Sequence, residues 1–271
     1  MAFFNVPGIS SDTSRWSFVW FDNFVEIFGR TLFIDSYKNI LVIMFAGGIG
    51  VLFFAVLFAW VMKKGMPLSR VWKNIIYLPT VITPVAMVVL WTQYVFNSRF
   101  GLFKSVFSFL HLDGLAAIPW TSPKYLFVSM LIAYCFGSVG YYMLLMMAAM
   151  SKIPDELYEA AYIDGAKEGH VFLRITLPLI RANIKTIIQF WCLGCVTFFL
   201  WSRVFTVNSD PATMTPANYM YTLIFGETSA GYNAVEPNVG LGAAVGVSLC
   251  VAVVAIFALL DLAFGSENYE F

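Results

Sequence analysis

Five stretches of this chain are apolar over about the 20 residues that a helix needs to cross the hydrocarbon core of a bilayer. They lie at about 37–62, 74–96, 125–150, 184–207 and 239–264. Lipid offers no water to a backbone N–H or C=O, so such stretches must close their own hydrogen bonds as helices. The composition agrees. Of 271 residues, 60% are hydrophobic and 12% are charged, against about 25% charged in an ordinary soluble domain. The expected fold is an all-α polytopic membrane protein with the lipid bilayer as its surroundings. A formal net charge of zero gives no pull towards nucleic acid, and none is expected as a partner.

Lys and Arg predict the orientation, because cytoplasmic connections hold the excess of them. The short connection after the first stretch carries Lys63, Lys64, Arg70 and Lys73. The connection after the third carries Lys152, Lys167, Arg174, Arg181 and Lys185. The other two connections are poorer, with Arg99, Lys104 and Lys124 in one and Arg203 near the other. Residues 1–36 are thus expected outside, the membrane domain at 37–264, and a short cytoplasmic tail at 265–271. The opening MAFFNVPGISSDTSRW lacks a basic segment followed by an apolar one and does not read as a signal peptide. An outside N-terminal segment without one calls for a further spanning helix upstream. The outer connection 97–124 sets Phe103, Phe107 and Leu110 at helical spacing, which predicts a short helix in the membrane interface. The connection 208–238, with Pro211, Pro216 and Pro237, is expected to be an irregular outer cap.

Cys135, Cys192, Cys195 and Cys250 all fall inside apolar runs, so they read as packing residues despite the CxxC at Cys192. His111 and His170 have no ligand partner at useful spacing, and no metal is expected. An intramembrane enzyme would need convergent acids, histidines or a nucleophile, and in the last stretch Asp261 stands alone.

One cytoplasmic segment breaks the apolar pattern: ELYEAAYIDGAKEGHVFLRITLPLI, residues 156–180. Its entry has a capping candidate in Ser151, then Pro154, with Asp155 and Glu156 suited to the positive helix end. Gly165 is a natural exit, and Pro178 ends or kinks the approach to the next span. Glu159, Ala160 and Ala161 are followed after three residues by Gly165, and after nine more by Ile175, Leu177 and Pro178. This spacing resembles, without any insertion, the EAA motif of permease subunits of ATP-binding-cassette importers. The wording IPDELYEAAYIDGA is similar to the carbohydrate branch, and to the larger permease subunit of maltose-type importers. The stretches FVWFDNFVEIF, SRVWKNIIYLPTVITPVAMVVLW, ATMTPANYMYTLIF and VGLGAAVGVSL carry the resemblance over most of the chain. A departure is NSDP, residues 208–211, where many relatives have a glycine-rich turn.

The resemblance implies a type I importer permease fold with about five of the usual six transmembrane helices, in a bacterial or archaeal inner membrane with its C-terminus inside. It implies partners: ATPase subunits that bind ATP and Mg, a second and different permease, and an extracytoplasmic solute-binding protein. The loop 151–183 would couple to the ATPase through Glu159, Ala160, Ala161, Gly165, Ile175, Leu177 and Pro178. The chain itself would hold no cofactor and do no hydrolysis, and it has no GxxxxGK[ST] phosphate loop. The implied solute is a sugar or oligosaccharide; the alternative is the same architecture carrying an amino acid or oxyanion. Aromatic and polar residues sharing a face inside a span are candidates for solute contact. The third stretch offers Tyr134, Ser138 and Tyr141, and the fourth Trp191, Gly194, Cys195 and Phe198.

Overall fold

The computed structural model describes residues 1–9, 12–205, 211–226 and 235–265, and within them the chain is mostly helical. Three helices are long and apolar enough to cross a membrane: Thr31–Lys63, Pro123–Met150 and Val239–Phe264. They correspond to the first, third and fifth expected stretches, the first starting already at Thr31. The second stretch is a sharply bent pair, Ser69–Val81 and Pro84–Val95. Pro84 has no N–H to donate, and its ring pushes the residue before it out of the helical region, so the helix stops and restarts there.

The fourth expected stretch differs from a single span. It forms Arg181–Val196 and then a separate short helix, Leu200–Phe205; residues 206 and 207 lie outside the described residues. At the break the Thr197 hydroxyl donates back to the Leu193 carbonyl at 3.1 Å. The Phe198 carbonyl accepts the Thr215 hydroxyl at 2.6 Å. A side chain from elsewhere thus satisfies a carbonyl that the interrupted helix leaves open. Among the described residues there are three spans by length and composition, or four if the bent pair counts as one.

The chain divides into two compact units, and the three long helices contribute residues to each. The first comprises Met1–Phe45, Pro84–Tyr134 and Leu193–Ala255. Ile27, Phe33, Met214, Tyr219, Leu223, Leu241 and Val245 form its buried apolar cluster. The N-terminal segment is a small antiparallel ribbon of Phe4–Asn5 and Ser17–Phe18. Buried Asn23 fastens it by donating to the carbonyls of Ala2 at 2.8 Å and Phe4 at 3.0 Å. Where an irregular cap was expected, residues Pro216–Phe225 are a helix with proline in its first turn; of the NSDP turn, 208–210 lie outside the described residues. Buried and half-buried hydroxyls and amides clamp the segment before this helix. Ser202 donates to the Thr213 carbonyl at 2.7 Å, Asn218 to the Ser202 hydroxyl at 3.0 Å, and Asn39 to the Met214 carbonyl at 2.9 Å. A short helix does form where one was expected, at Leu102–Phe109. Its Phe103 packs on Phe96 and Trp120, and Phe107 on Phe103, so this face meets protein aromatics.

The second unit comprises Ala46–Thr83, Cys135–Cys192 and the C-terminal end from Ile256. Its helices approach through small residues, as van der Waals packing in lipid favours. Gly140 lets the helix Ser69–Val81 come so close that an added Cβ would meet the Ile76 carbonyl oxygen at 2.4 Å. Beside it Thr80 donates to the Gly137 carbonyl at 2.8 Å. Gly48 accommodates the Trp191 indole in the same way. Asp261, which seemed solitary in the sequence, pairs with Lys185 at 2.7 Å.

Candidate functional site

Met150 ends the third span, and a short turn leads into the helix Asp155–Ile163. Ser151 does not cap it. The Ser151 hydroxyl bonds back to the Met147 carbonyl at 2.8 Å, and Pro154 holds the N-cap position. The positive helix end is met instead by Asp155 and Glu156 in the first turn. The exit follows from Gly165, whose φ of +78° only glycine adopts without strain. The Ala166 N–H reaches the Ala161 carbonyl at 2.9 Å and the Gly165 N–H reaches Tyr162 at 3.0 Å, the paired bonds that close a helix over a left-handed residue. The chain returns through Glu168–Val171, a widened turn Phe172–Thr176, and Leu177–Leu179. Widening here relieves the clash that the Pro178 ring would make with the Arg174 carbonyl one regular turn earlier.

One face of Asp155–Ile163 is gripped by the rest of its unit. Tyr158 is its buried residue. The Tyr158 hydroxyl lies 3.3 Å from that of Thr176, and its ring 6.3 Å from Trp60. Lys63 sits 4.7 Å over the same ring, donates to the Met150 carbonyl at 3.1 Å, and meets Asp155 at 3.3 Å. Lys64 pairs with Glu168 and lies over Trp60, which packs on Phe172 at 5.1 Å. Burial pushes the Tyr158 phenol pKa up, and the Thr176 hydrogen bond only partly opposes it, so the ring is neutral at physiological pH. The motif spacing signalled none of these anchors. Lys63 and Lys64 were legible only as orientation signals.

The other face is open. Glu156, Glu159 and Ala160 are exposed, and Leu157, Tyr162 and Ile163 expose large apolar side chains, Ile163 at 85%. Ala161 is half-buried, as are Ile175 and Leu177, while Gly165 and Pro178 are exposed. A short rigid helix with acidic and apolar groups free, and a small residue at its centre, offers a surface for a protein partner to approach closely.

The residues expected to touch solute are distributed as follows. In the first unit Tyr134 packs edge-on against Phe198 at 4.7 Å and Trp201 at 5.5 Å. Phe198 and Cys195 are buried and Gly194 is half-buried. In the second unit Tyr141 and Trp191 both pack edge-on against Tyr142, at 5.1 and 5.5 Å. Trp191 is buried, Ser138 half-buried, and Tyr141 exposed.

The model of the family described as binding-protein-dependent transport system inner membrane component matches residues 51–264. The chain belongs to this family. Among curated relatives of this inner membrane component, the diacetylchitobiose uptake system permease protein NgcF of Streptomyces coelicolor is 27% identical over 237 residues. That match covers 83% of this chain and 66% of NgcF, so the chain spans just under two thirds of that relative's length. The sn-glycerol-3-phosphate transport system permease protein UgpA of Pectobacterium atrosepticum is 28% identical over 226 residues, 80% of this chain and 69% of UgpA. Among solved structures, a bacterial ABC transporter involved in import of the acidic polysaccharide alginate matches with a TM-score of 0.73. It covers 91% of this chain and 84% of that chain at 22% identity, which shows a shared fold. The family resemblance carried by Glu159, Gly165 and Pro178 is thereby confirmed at the level of the family and its helical permease fold.

Proposed function

We propose that this chain is the membrane-spanning subunit of an ATP-driven, binding-protein-dependent importer, forming half of the path for a sugar or oligosaccharide. The observation that carries the reading is the helix Asp155–Ile163, gripped on one face through Tyr158 and free on the other. A partner ATPase, holding ATP and Mg, would receive the free face with Glu159, Ala160 and Ala161 at its centre. Movement of that partner would pass through Tyr158, Lys63 and Lys64 to the ends of the first and third spans, which these residues contact. A second, different permease would complete the path, and an extracytoplasmic binding protein would deliver solute. The name of NgcF, a diacetylchitobiose permease, supports a saccharide. The Lys and Arg pattern supports a cytoplasmic loop and C-terminus.

Capture of the complex from native membranes, crosslinked through Ala160→Cys, is expected to recover an ABC ATPase on that cysteine. Recovery of no ATPase would end the reading. Glu159 is exposed, so Glu159→Lys should change stability by no more than about 0.5 kcal/mol. Solute taken up per ATP hydrolysed should nonetheless fall by about tenfold, as loss of a charge-assisted contact predicts.

A further inference from the structure

Three cavities differ in the chemistry of their walls. That between Phe54, Ile76 and Cys135 is apolar, as expected between spanning helices. A mixed one beside Pro237 contains both Arg30 and Glu236, and Arg30 is already paired with Glu26. The cavity at the N-terminal end of the third span, of about 890 Å³, is lined by Thr92, Gln93, Arg99, Phe100 and Thr121 among others, and Arg99 is the charged group of its wall. No described carboxylate lies within ion-pair distance of Arg99.

The wall is built and held. The Asn97 side-chain oxygen accepts the N–H groups of Arg99 at 2.8 Å and Phe100 at 3.3 Å. The Gly101 N–H reaches the Asn97 carbonyl at 2.9 Å, and Lys104 donates to the Ser98 carbonyl at 2.9 Å. A Cβ on Gly101 would lie 2.3 Å from the Asn97 oxygen, so the turn closes this tightly only with glycine. Behind it Phe205, a wall residue, packs on Phe96, which stacks on Trp120. Thr92 donates its proton to the Val88 carbonyl at 2.8 Å, which leaves its oxygen as an acceptor. Gln93 adds donors and an acceptor, and Phe100 an exposed ring. This set of directional polar groups, one aromatic face and a guanidinium with no described carboxylate opposite it suits a small polyol with an acid group.

We propose that this cavity admits a polyhydroxylated solute bearing a carboxylate or phosphate, with the anion on Arg99, hydroxyls on Gln93 and Thr121, and the ring face on Phe100. The proposal rests on the importer reading above and narrows its solute class. The wall includes Pro123 and Leu126, in the first turns of a 28-residue helix. Such a helix rises about 40 Å, the thickness of a bilayer with its headgroups.

The test uses the complete transporter in phosphatidylcholine vesicles, so that no anionic lipid headgroup can occupy Arg99 in place of solute. Three probes are compared: sn-glycerol 3-phosphate, an aldobiouronic acid, and neutral N,N′-diacetylchitobiose. At least one anionic probe should be taken up, and Arg99→Gln should raise its half-saturating concentration by about tenfold. Arg99→Lys should recover part of that loss. Uptake of the neutral disaccharide alone, or equal effects of Arg99→Gln on neutral and anionic probes, overturns the proposal and leaves the importer standing. So does failure to take up either acid while binding protein still stimulates the ATPase. Absence of both uptake and stimulation overturns the importer reading itself.

Discussion

A methyl group added at Gly140 would lie 2.4 Å from the Ile76 carbonyl oxygen and 2.7 Å from Tyr77 Cα, backbone atoms that cannot swing aside. At Gly165 nothing lies within 4 Å of the same added atom, and the cost there is torsional alone. Gly140→Ala is therefore expected to destabilise the second unit by about 1–3 kcal/mol through overpacking. Gly165→Ala should cost about 1–2 kcal/mol through its left-handed backbone. Thermal unfolding of both purified variants checks this, and a Gly140→Ala protein as stable as the parent would refute the close approach. Gly165 could be read directly from the sequence, since a helix pattern with a terminal glycine is a local signal. Gly140 could not, because its partners Ile76 and Tyr77 belong to a helix remote in sequence, and only the folded chain brings them together.

The helix Asp155–Ile163 has one buried side chain, so its attachment rests heavily on that ring. Tyr158→Phe removes the hydrogen bond to Thr176 and keeps the packing on Trp60, a loss of about 1 kcal/mol. Tyr158→Ala removes both, and about 3–5 kcal/mol is expected. Hydrogen exchange over 155–163 should quicken little in the first variant and strongly in the second, with uptake per ATP falling in the same order. Unchanged exchange in Tyr158→Ala would mean that the helix is held by something else. The elements themselves were unevenly readable. The first, third and fifth apolar stretches gave the long helices that the sequence called for, but apolar length alone did not secure the fourth. The interruption near Thr197 was not readable, because it depends on Thr215 supplying the bond that the Phe198 carbonyl would otherwise seek within its own helix. The bend before Pro84 had its signal in the prolines, yet an apolar count passes straight over it.

Across the whole chain, the distribution of Lys and Arg predicts which connections face the cytoplasm. Ser98 lies before the helix Pro123–Met150 and Ile163 after it, and both are exposed. A membrane-impermeant maleimide should label Ser98→Cys in intact cells, and Ile163→Cys only once the membrane is opened. Reversed labelling would invert the topology and place the coupling face on the wrong side for an ATPase. The residues of the motif at 159–178 were legible because their order along the chain is local. The Arg99 cavity was not, because its wall joins three separated segments. Lys63 and Lys64 belong to both kinds of information: they lie in the basic cluster from which the orientation is expected, and they hold the loop through Met150, Asp155 and Glu168. The loop is consequently not a portable module. A chimera that transplants residues 155–178 alone into another permease would leave behind the socket made by Trp60, Lys63 and Lys64. Only a graft carrying residues 60–64 as well would transfer the mechanical joint entire.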